Sequence, residues 1–286
     1  MRKRVVALAA GLLLLWHPGG RAEAPAPDAE RDPRSSLFAQ SAAGVLSREF
    51  CRADVSFLLL DARTGVLLAS HWENVDAPIP LGSLVKPFLA LAYGEQHGFK
   101  YPDHNCVGSA SGCWLPRGHG EMDITSAIAY SCNSYFRMLA ASMSAADVSR
   151  TAARFGLQPP APDLSGPALI GLGRSWRIAP LNMARAYLEL MRRRDQPGVR
   201  AVLAGMEQSA RQGTGAEVDR ALAYPDALVK TGTAACTHVH PAGGDGFVIT
   251  VEPADHPRVL LMVRVHGVPG RQAARMAGQM MRRIQE

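Results

Sequence analysis

Strand-forming segments lie at both ends of this sequence and helical ones fill the middle, which leaves few architectures open to the chain. Val55-Ser56-Phe57-Leu58-Leu59-Leu60 and Val66-Leu67-Leu68-Ala69 read as strands, joined by the hairpin signal Asp61-Ala62-Arg63-Thr64-Gly65. Beyond Tyr224 come three more strands, Leu228 to Cys236, Gly246 to Val251 and Val259 to Val265. Between these groups the apolar spacing is helical, from Ser83 to about His97, Asp123 to Met143, Ala145 to Phe155, Pro180 to Arg194 and Val199 to Gln212. One helix precedes the first strand, from Ser35 to Cys51 with Ser35 or Ser36 as N-cap, and another closes the chain from Gly270 to Ile284. Strands so far apart must meet in one sheet. The expected fold is therefore α+β, an antiparallel five-stranded sheet flanked by helices, with an all-helical lobe inserted at roughly residues 87–215. A cleft between sheet and lobe is the natural ligand site.

The N-terminal stretch reads as an export signal. Arg2-Lys3-Arg4 precedes an apolar run of 12 residues, Val5 to Trp16. A bilayer span needs about 20, so a cleaved signal over residues 1–22 is favoured above a retained anchor. Residues 23–34 are Ala, Pro and charge, a tether, and 35–286 are enough for one cored domain. The net charge of +6 is dispersed except at Arg192-Arg193-Arg194, which suits the last turn of a helix. No nucleic-acid module is visible. Export makes the five cysteines informative. Cys106 and Cys113 enclose a small flexible loop that a disulfide could close, and Cys132 reads as buried and inert. His104 and His119 lie nearby, but no standard zinc spacing fits them.

Three short segments carry the chemistry: Ser83-Leu84-Val85-Lys86, Ser131-Cys132-Asn133 and Lys230-Thr231-Gly232-Thr233. Residues three apart on a helix share a face, with Cβ atoms about 5–6 Å apart, so Lys86 can reach the Ser83 hydroxyl. It can act as base if burial lowers its pKa from about 10.4 toward neutrality. Taken alone, Ser83 is more simply an N-cap and Lys86 a solvated lysine; the other two segments overturn that. Ser131 could relay a proton and Asn133 could bind an amide. Lys230 offers a charge suited to a carboxylate, although an edge-strand charge that blocks aggregation is the plainer account. Gly232 lets a substrate backbone approach, and the Thr233 N–H could join that of Ser83 in an oxyanion hole.

With Gly82 before the first segment and Pro87 after it, the set resembles the penicillin-binding transpeptidases and serine β-lactamases. Gly118-His119-Gly120, Ala127-Ile128, Ile170-Gly171-Leu172-Gly173, Ile178-Ala179-Pro180-Leu181-Asn182-Met183-Ala184 and Gly213-Thr214-Gly215 extend the likeness to the transpeptidases over roughly Asp61 to Gly267. The resemblance implies Ser83 as acylated nucleophile, Lys86 as its base, and Ser131 and Asn133 as the second element. It also implies that Lys230, Thr231 and Thr233 bind the terminal carboxylate of a D-Ala-D-Ala stem peptide or a β-lactam. From the residues themselves, no cofactor and no metal are expected.

The chain departs from that family in places. The tether leads almost directly into the domain, leaving no room for a glycosyltransferase or pedestal region. Loops between Ser131 and Lys230 look short, so the groove is expected to be abbreviated, and another cell-wall protein could supply what is missing. Asn133 stands where class D β-lactamases usually carry valine, and no glutamate suits a class A deacylating water. A peptidoglycan-directed enzyme is thus favoured above a β-lactamase or a non-catalytic muropeptide sensor. Cys236, His238 and His240 alternate along a strand and could bind zinc, although a strand end with two exposed histidines is the simpler expectation.

Overall fold

The computed structural model describes residues 33–237 and 244–286. The expected signal segment and nearly all of the tether lie outside the described residues, as do His238 and His240. The first helix, α1 (Pro33–Glu49), starts two residues before the expected serine cap. It leads into β1 (Val55–Asp61) and β2 (Leu67–His71), an antiparallel hairpin. The turn closes on Asp61, whose Oδ1 accepts from the backbone N–H groups of Arg63 and Thr64. That is the side-chain mimicry that makes Asp a turn former.

Short pieces follow. Ile79–Pro80 (β3) enters a 3₁₀ turn at Gly82–Val85, which continues as α2 (Lys86–Gln96). A small ribbon of β4 (His104–Cys106) and β5 (Gly120–Met122) precedes α3 (Ile124–Ala129), α4 (Asn133–Ala141) and α5 (Ala145–Arg154). Next, β6 (Arg177–Ile178) pairs with β3, and α6 (Pro180–Arg192), α7 (Pro197–Gln212) and α8 (Ala216–Ala221) complete the helical region. The chain ends with β7 (Leu228–Ala235), β8 (Gly244–Glu252), β9 (Val259–His266) and α9 (Gly270–Gln285).

The five long strands form one antiparallel sheet in the order β2-β1-β9-β8-β7. It is the expected α+β architecture. The first hairpin and the last three strands meet where β1 pairs with β9, Leu58 opposite Met262. Central β1 is buried from Val55 to Leu60, because helices cover the sheet on both sides. A strand buried on both faces needs no polar alternation. On one face Phe57, Leu59, Val248, Leu261 and Val263 pack against α1 and α9, which offer Leu46, Ala273, Ala277, Met280 and Met281. On the other, Leu58, Leu60, Ile249 and Met262 join Phe88, Phe136 and Tyr187 from the helical region. Since β7 has no strand beyond it, its outer edge faces the 3₁₀ turn that bears Ser83.

Candidate active site

Two glycines let the Ser83 turn lie against β7. Gly82 has φ +58, and a Cβ there would fall 2.1 Å from the Thr233 carbonyl oxygen. A Cβ on Gly232 would fall 2.6 Å from the Leu81 carbonyl oxygen. Side chains at either position would push the turn off the strand. Ser83 sits inside a 3₁₀ turn and not at the N-cap of a single long helix. Pro87, in the first turn of α2, lacks only an N–H that has no intrahelical partner there.

Ser131 breaks the helix expected from Asp123 to Met143. It adopts φ +51, the left-handed position that follows a helix, with its N–H bonded to the Ile128 carbonyl and that of Cys132 to the Ala127 carbonyl. This is the double bond pattern that ends helices, usually at glycine. A serine there is strained by about 1–2 kcal/mol. The turn presents Ser131 and Asn133 toward Lys86.

The two lysines straddle this turn, and both are fully buried. Lys86 Nζ donates to the Ser131 carbonyl at 2.7 Å and to Asn133 Oδ1 at 2.6 Å. Burial lowers its pKa to about 7, partly opposed by the nearby Cys132 and Cys113. Lys230 Nζ donates to Ser131 Oγ at 2.9 Å and to the Thr231 carbonyl at 2.8 Å. Burial first, then the Lys86 charge, pushes Lys230 well below the usual lysine range. Lys230 is thus tied to the second motif through the Ser131 hydroxyl as well as to its own strand.

Ser83, Ser131, Asn133, Thr231, Gly232 and Thr233 line one cavity of about 330 Å³. Trp114, Leu172, Thr214, Pro269 and Arg271 complete its wall. Thr214 has a defined place, since Thr231 Oγ1 donates to its hydroxyl at 2.6 Å and Thr214 Oγ1 donates to the Ala129 carbonyl at 3.2 Å. Gly213-Thr214-Gly215 was its sequence signal. Trp114 and Arg271 gave no signal, because each reaches the cavity from a segment with no motif of its own. Thr233 Oγ1 accepts from the Gly270 N–H at the start of α9, between the wall residues Pro269 and Arg271.

Behind the second motif the structure overturns the expected disulfide. Cys106 and Cys113 are free thiols, and the His119 ring stands between them. His119 Nδ1 lies 3.6 Å from Cys106 Sγ and 3.5 Å from Cys113 Sγ, and Cys113 Sγ lies 3.8 Å from Cys132 Sγ. The four donor atoms all fall within 4.8 Å of one another. With Zn–S near 2.3 Å and Zn–N near 2.0–2.1 Å, a tetrahedral zinc site has S···S edges of about 3.8 Å and S···N edges of about 3.6 Å. Three thiols and an imidazole at these separations fit zinc as a closed structural site. The zinc would hold Cys132, and through it the turn that carries Ser131 and Asn133. Hydrogen bonds from Cys132 and then His119 hold the Cys113 thiol low. Burial alone would lower His119, but its sulfur neighbours raise it. Cys132 is buried as expected, and its bond to Cys113 and then its burial hold its thiol above the usual range; His104 takes no part, since its Nε2 pairs with Ser134 Oγ at 2.6 Å. The spacing Cys-x6-Cys-x5-His-x12-Cys contains no close Cys pair to betray it.

Residues 55–286 match the family described as the penicillin binding protein transpeptidase domain. The chain belongs to that family. Among solved structures, this transpeptidase domain is similar to Pseudomonas aeruginosa PBP2 in complex with WCK 5153, with TM-score 0.67, 18% identity, 89% of this chain covered and 73% of that one. It is similar to PBP2 from Helicobacter pylori, solved in complex with MreC, with TM-score 0.69, 17% identity, 89% of this chain and 63% of that one. The transpeptidase domain of Burkholderia pseudomallei penicillin-binding protein 3 gives TM-score 0.65, 17% identity, 89% and 93%. None of the curated proteins compared with the chain matches it in sequence. No helix among the described residues is long and apolar enough to cross a membrane.

Proposed function

We propose that the transpeptidase domain is an exported, penicillin-binding active-serine enzyme that acts on D-Ala-D-Ala peptidoglycan stem peptides as a D,D-transpeptidase or D,D-carboxypeptidase. The observation that carries this reading is the convergence of all three motifs on one cavity edge, with both lysines buried behind Ser131. Ser83 attacks the penultimate D-Ala carbonyl. Neutral Lys86 has two N–H groups, which satisfy the Ser131 carbonyl and Asn133 Oδ1, so its lone pair remains for the Ser83 proton. Backbone N–H groups of Ser83 and Thr233 receive the oxyanion. Ser131, polarised by Lys230, passes a proton to the departing D-Ala nitrogen. The Thr233 hydroxyl, which accepts from the Gly270 N–H and keeps its own proton, donates to the terminal carboxylate, joined by Thr231 and Thr214 once their hydroxyls turn from their present acceptors. An amine or water then resolves the acyl-enzyme and releases Ser83.

A β-lactam would acylate Ser83 in the same pose. Another cell-wall protein could complete the binding groove, as the H. pylori complex with MreC illustrates for that PBP2. Intact-protein mass after mixing with a penicillin tests the reading. A lasting one-to-one adduct that disappears in Ser83→Ala supports it. Rapid clearance with drug hydrolysis would make the chain a β-lactamase instead, and no adduct at all would leave a binding module.

A further inference from the structure

The last residues of β7, β8 and β9 gather a second set of donors, distinct from the thiol cluster behind Ser131. Asp245 and His266 stand directly opposite each other between β8 and β9, and Ala234 stands opposite Asp245 between β7 and β8. Successive side chains alternate between faces, so Cys236, two residues past Ala234, returns to the face that holds Asp245 and His266. By the same parity, this face carries Phe247, Ile249 and Met262 into the core shared with the helical region. Cys236 Sγ, an Asp245 carboxylate oxygen and a His266 ring nitrogen lie within 4.8 Å of one another.

Burial makes the grouping unusual. Asp245 is 2% exposed and Cys236 1%. A carboxylate taken out of water needs a cation or several donors. His266 Nδ1 lies 2.9 Å from Asp245 Oδ1, an ion pair when the ring is protonated. Arg264 is a permanent cation whose charge acts on Asp245 and Cys236, while its guanidinium donates twice to Ser56 Oγ, at 3.2 and 2.7 Å, and stacks on the Trp72 ring at 4.8 Å. Sulfur, oxygen and imidazole nitrogen together form the donor set of a borderline divalent cation such as zinc.

We propose that Cys236, Asp245 and His266 form a second metal site that takes one zinc-like divalent ion. Bonds of about 2.0–2.3 Å to each donor would gather the three with small side-chain shifts. Such an ion would clip together the ends of three adjacent strands. Cys236 follows Thr233 by three residues, about 10 Å along the strand, so the clip would steady the catalytic edge of β7 from one end.

The test is metal counting by native mass spectrometry on the full chain, purified without a histidine tag in the presence of thiol reductant and equilibrated with zinc. In the Cys106→Ser, Cys113→Ser background, which disables the other cluster, one ion per chain is expected. Adding Asp245→Asn and His266→Gln should remove it, with near-ultraviolet circular dichroism reporting that the fold persists. Should that background fail to fold, the comparison moves to the wild type, where His266→Gln is expected to reduce the count by one ion. Cobalt in place of zinc gives a thiolate charge-transfer band that should weaken in Cys236→Ala. A count unchanged by the Asp245 and His266 substitutions, or no ion in the folded double-serine background, overturns the proposal and leaves a buried Asp–His pair.

Discussion

The two faces of the sheet meet the same demand for burial with different chemistry. Toward α1 and α9, Leu59, Val248, Leu261 and Val263 meet Ala277, Met280 and Met281, an aliphatic seam. Toward the helical region, apolar packing surrounds fully buried Lys86 and Lys230, and buried Asp245 and Arg264. Burying an ammonium is costly and shifts its pKa toward the neutral form. Among the described residues that cost is tolerated on one face only, the face next to the catalytic edge. One face holds the domain together, and the other spends part of that stability on groups tuned for chemistry.

Substitutions on the two faces should therefore separate activity from stability. The largest effect is expected for Lys86→Met, which removes the proposed base but keeps an unbranched apolar chain in its place. Penicillin acylation should fall about 10²–10⁴-fold, while thermal stability changes little, because the relief of no longer burying an amine is offset by the Ser131 carbonyl and Asn133 Oδ1 that lose their donor. An unchanged acylation rate would assign the base elsewhere. The wild-type pH profile sharpens this. Lys86 must be neutral to accept a proton and its pKa lies about 7, so acylation should rise through that pH and level off above it. Below it the rate should drop about tenfold per pH unit. A profile flat from pH 5 to 9 would contradict a titrating Lys86.

On the opposite face, Leu261→Ala should do the reverse. Leu261 is fully buried opposite Leu59, and truncating such a side chain costs about 2–5 kcal/mol. Chemical denaturation should show that loss, while acylation measured well below the new midpoint stays within about twofold of wild type. If acylation fell with stability, the two faces would not be separable.

The difference between the faces also explains what the sequence revealed. The aliphatic seam was legible because its signals are local: β1 is an unbroken apolar run and α9 repeats Ala273, Ala277, Met280 and Ile284 at helical spacing. Motif order likewise brought Ser83, Ser131, Asn133 and Thr231 to one cavity. Other features depend on contacts far apart in the chain. Lys230 is committed to Ser131 across 99 residues, which no strand pattern foretells. The thiol cluster draws on β4, its loop and the helix break, and only the fold brings them together. The two-residue strands β3 and β6 are too short to carry any alternation at all.

Metal removal probes the functional face at a smaller scale. With zinc bound by Cys106, Cys113, His119 and Cys132, a strong chelator should lower thermal stability and slow acylation together, because the metal holds the residue between Ser131 and Asn133. Both should recover on adding zinc back under reducing conditions. Chelation with no effect on either readout, in protein that mass spectrometry shows to be metal-free, would rule out a metal role for the cluster.

The smallest effect concerns the strain at Ser131. Replacing it by alanine or by glycine removes the same hydroxyl and the same bond from Lys230, so both variants should acylate poorly. They differ in the backbone. Alanine keeps the cost of φ +51, whereas glycine adopts that conformation freely. Glycine in turn loses about 0.4–1 kcal/mol through the greater freedom of its unfolded chain, against about 1–2 kcal/mol of relieved strain. Ser131→Gly should therefore unfold about 0.5–1 kcal/mol harder than Ser131→Ala, the opposite of the order at ordinary helical positions. If alanine proves the more stable, the turn is not strained, and the position of Ser131 would have to be attributed to its Lys230 bond alone.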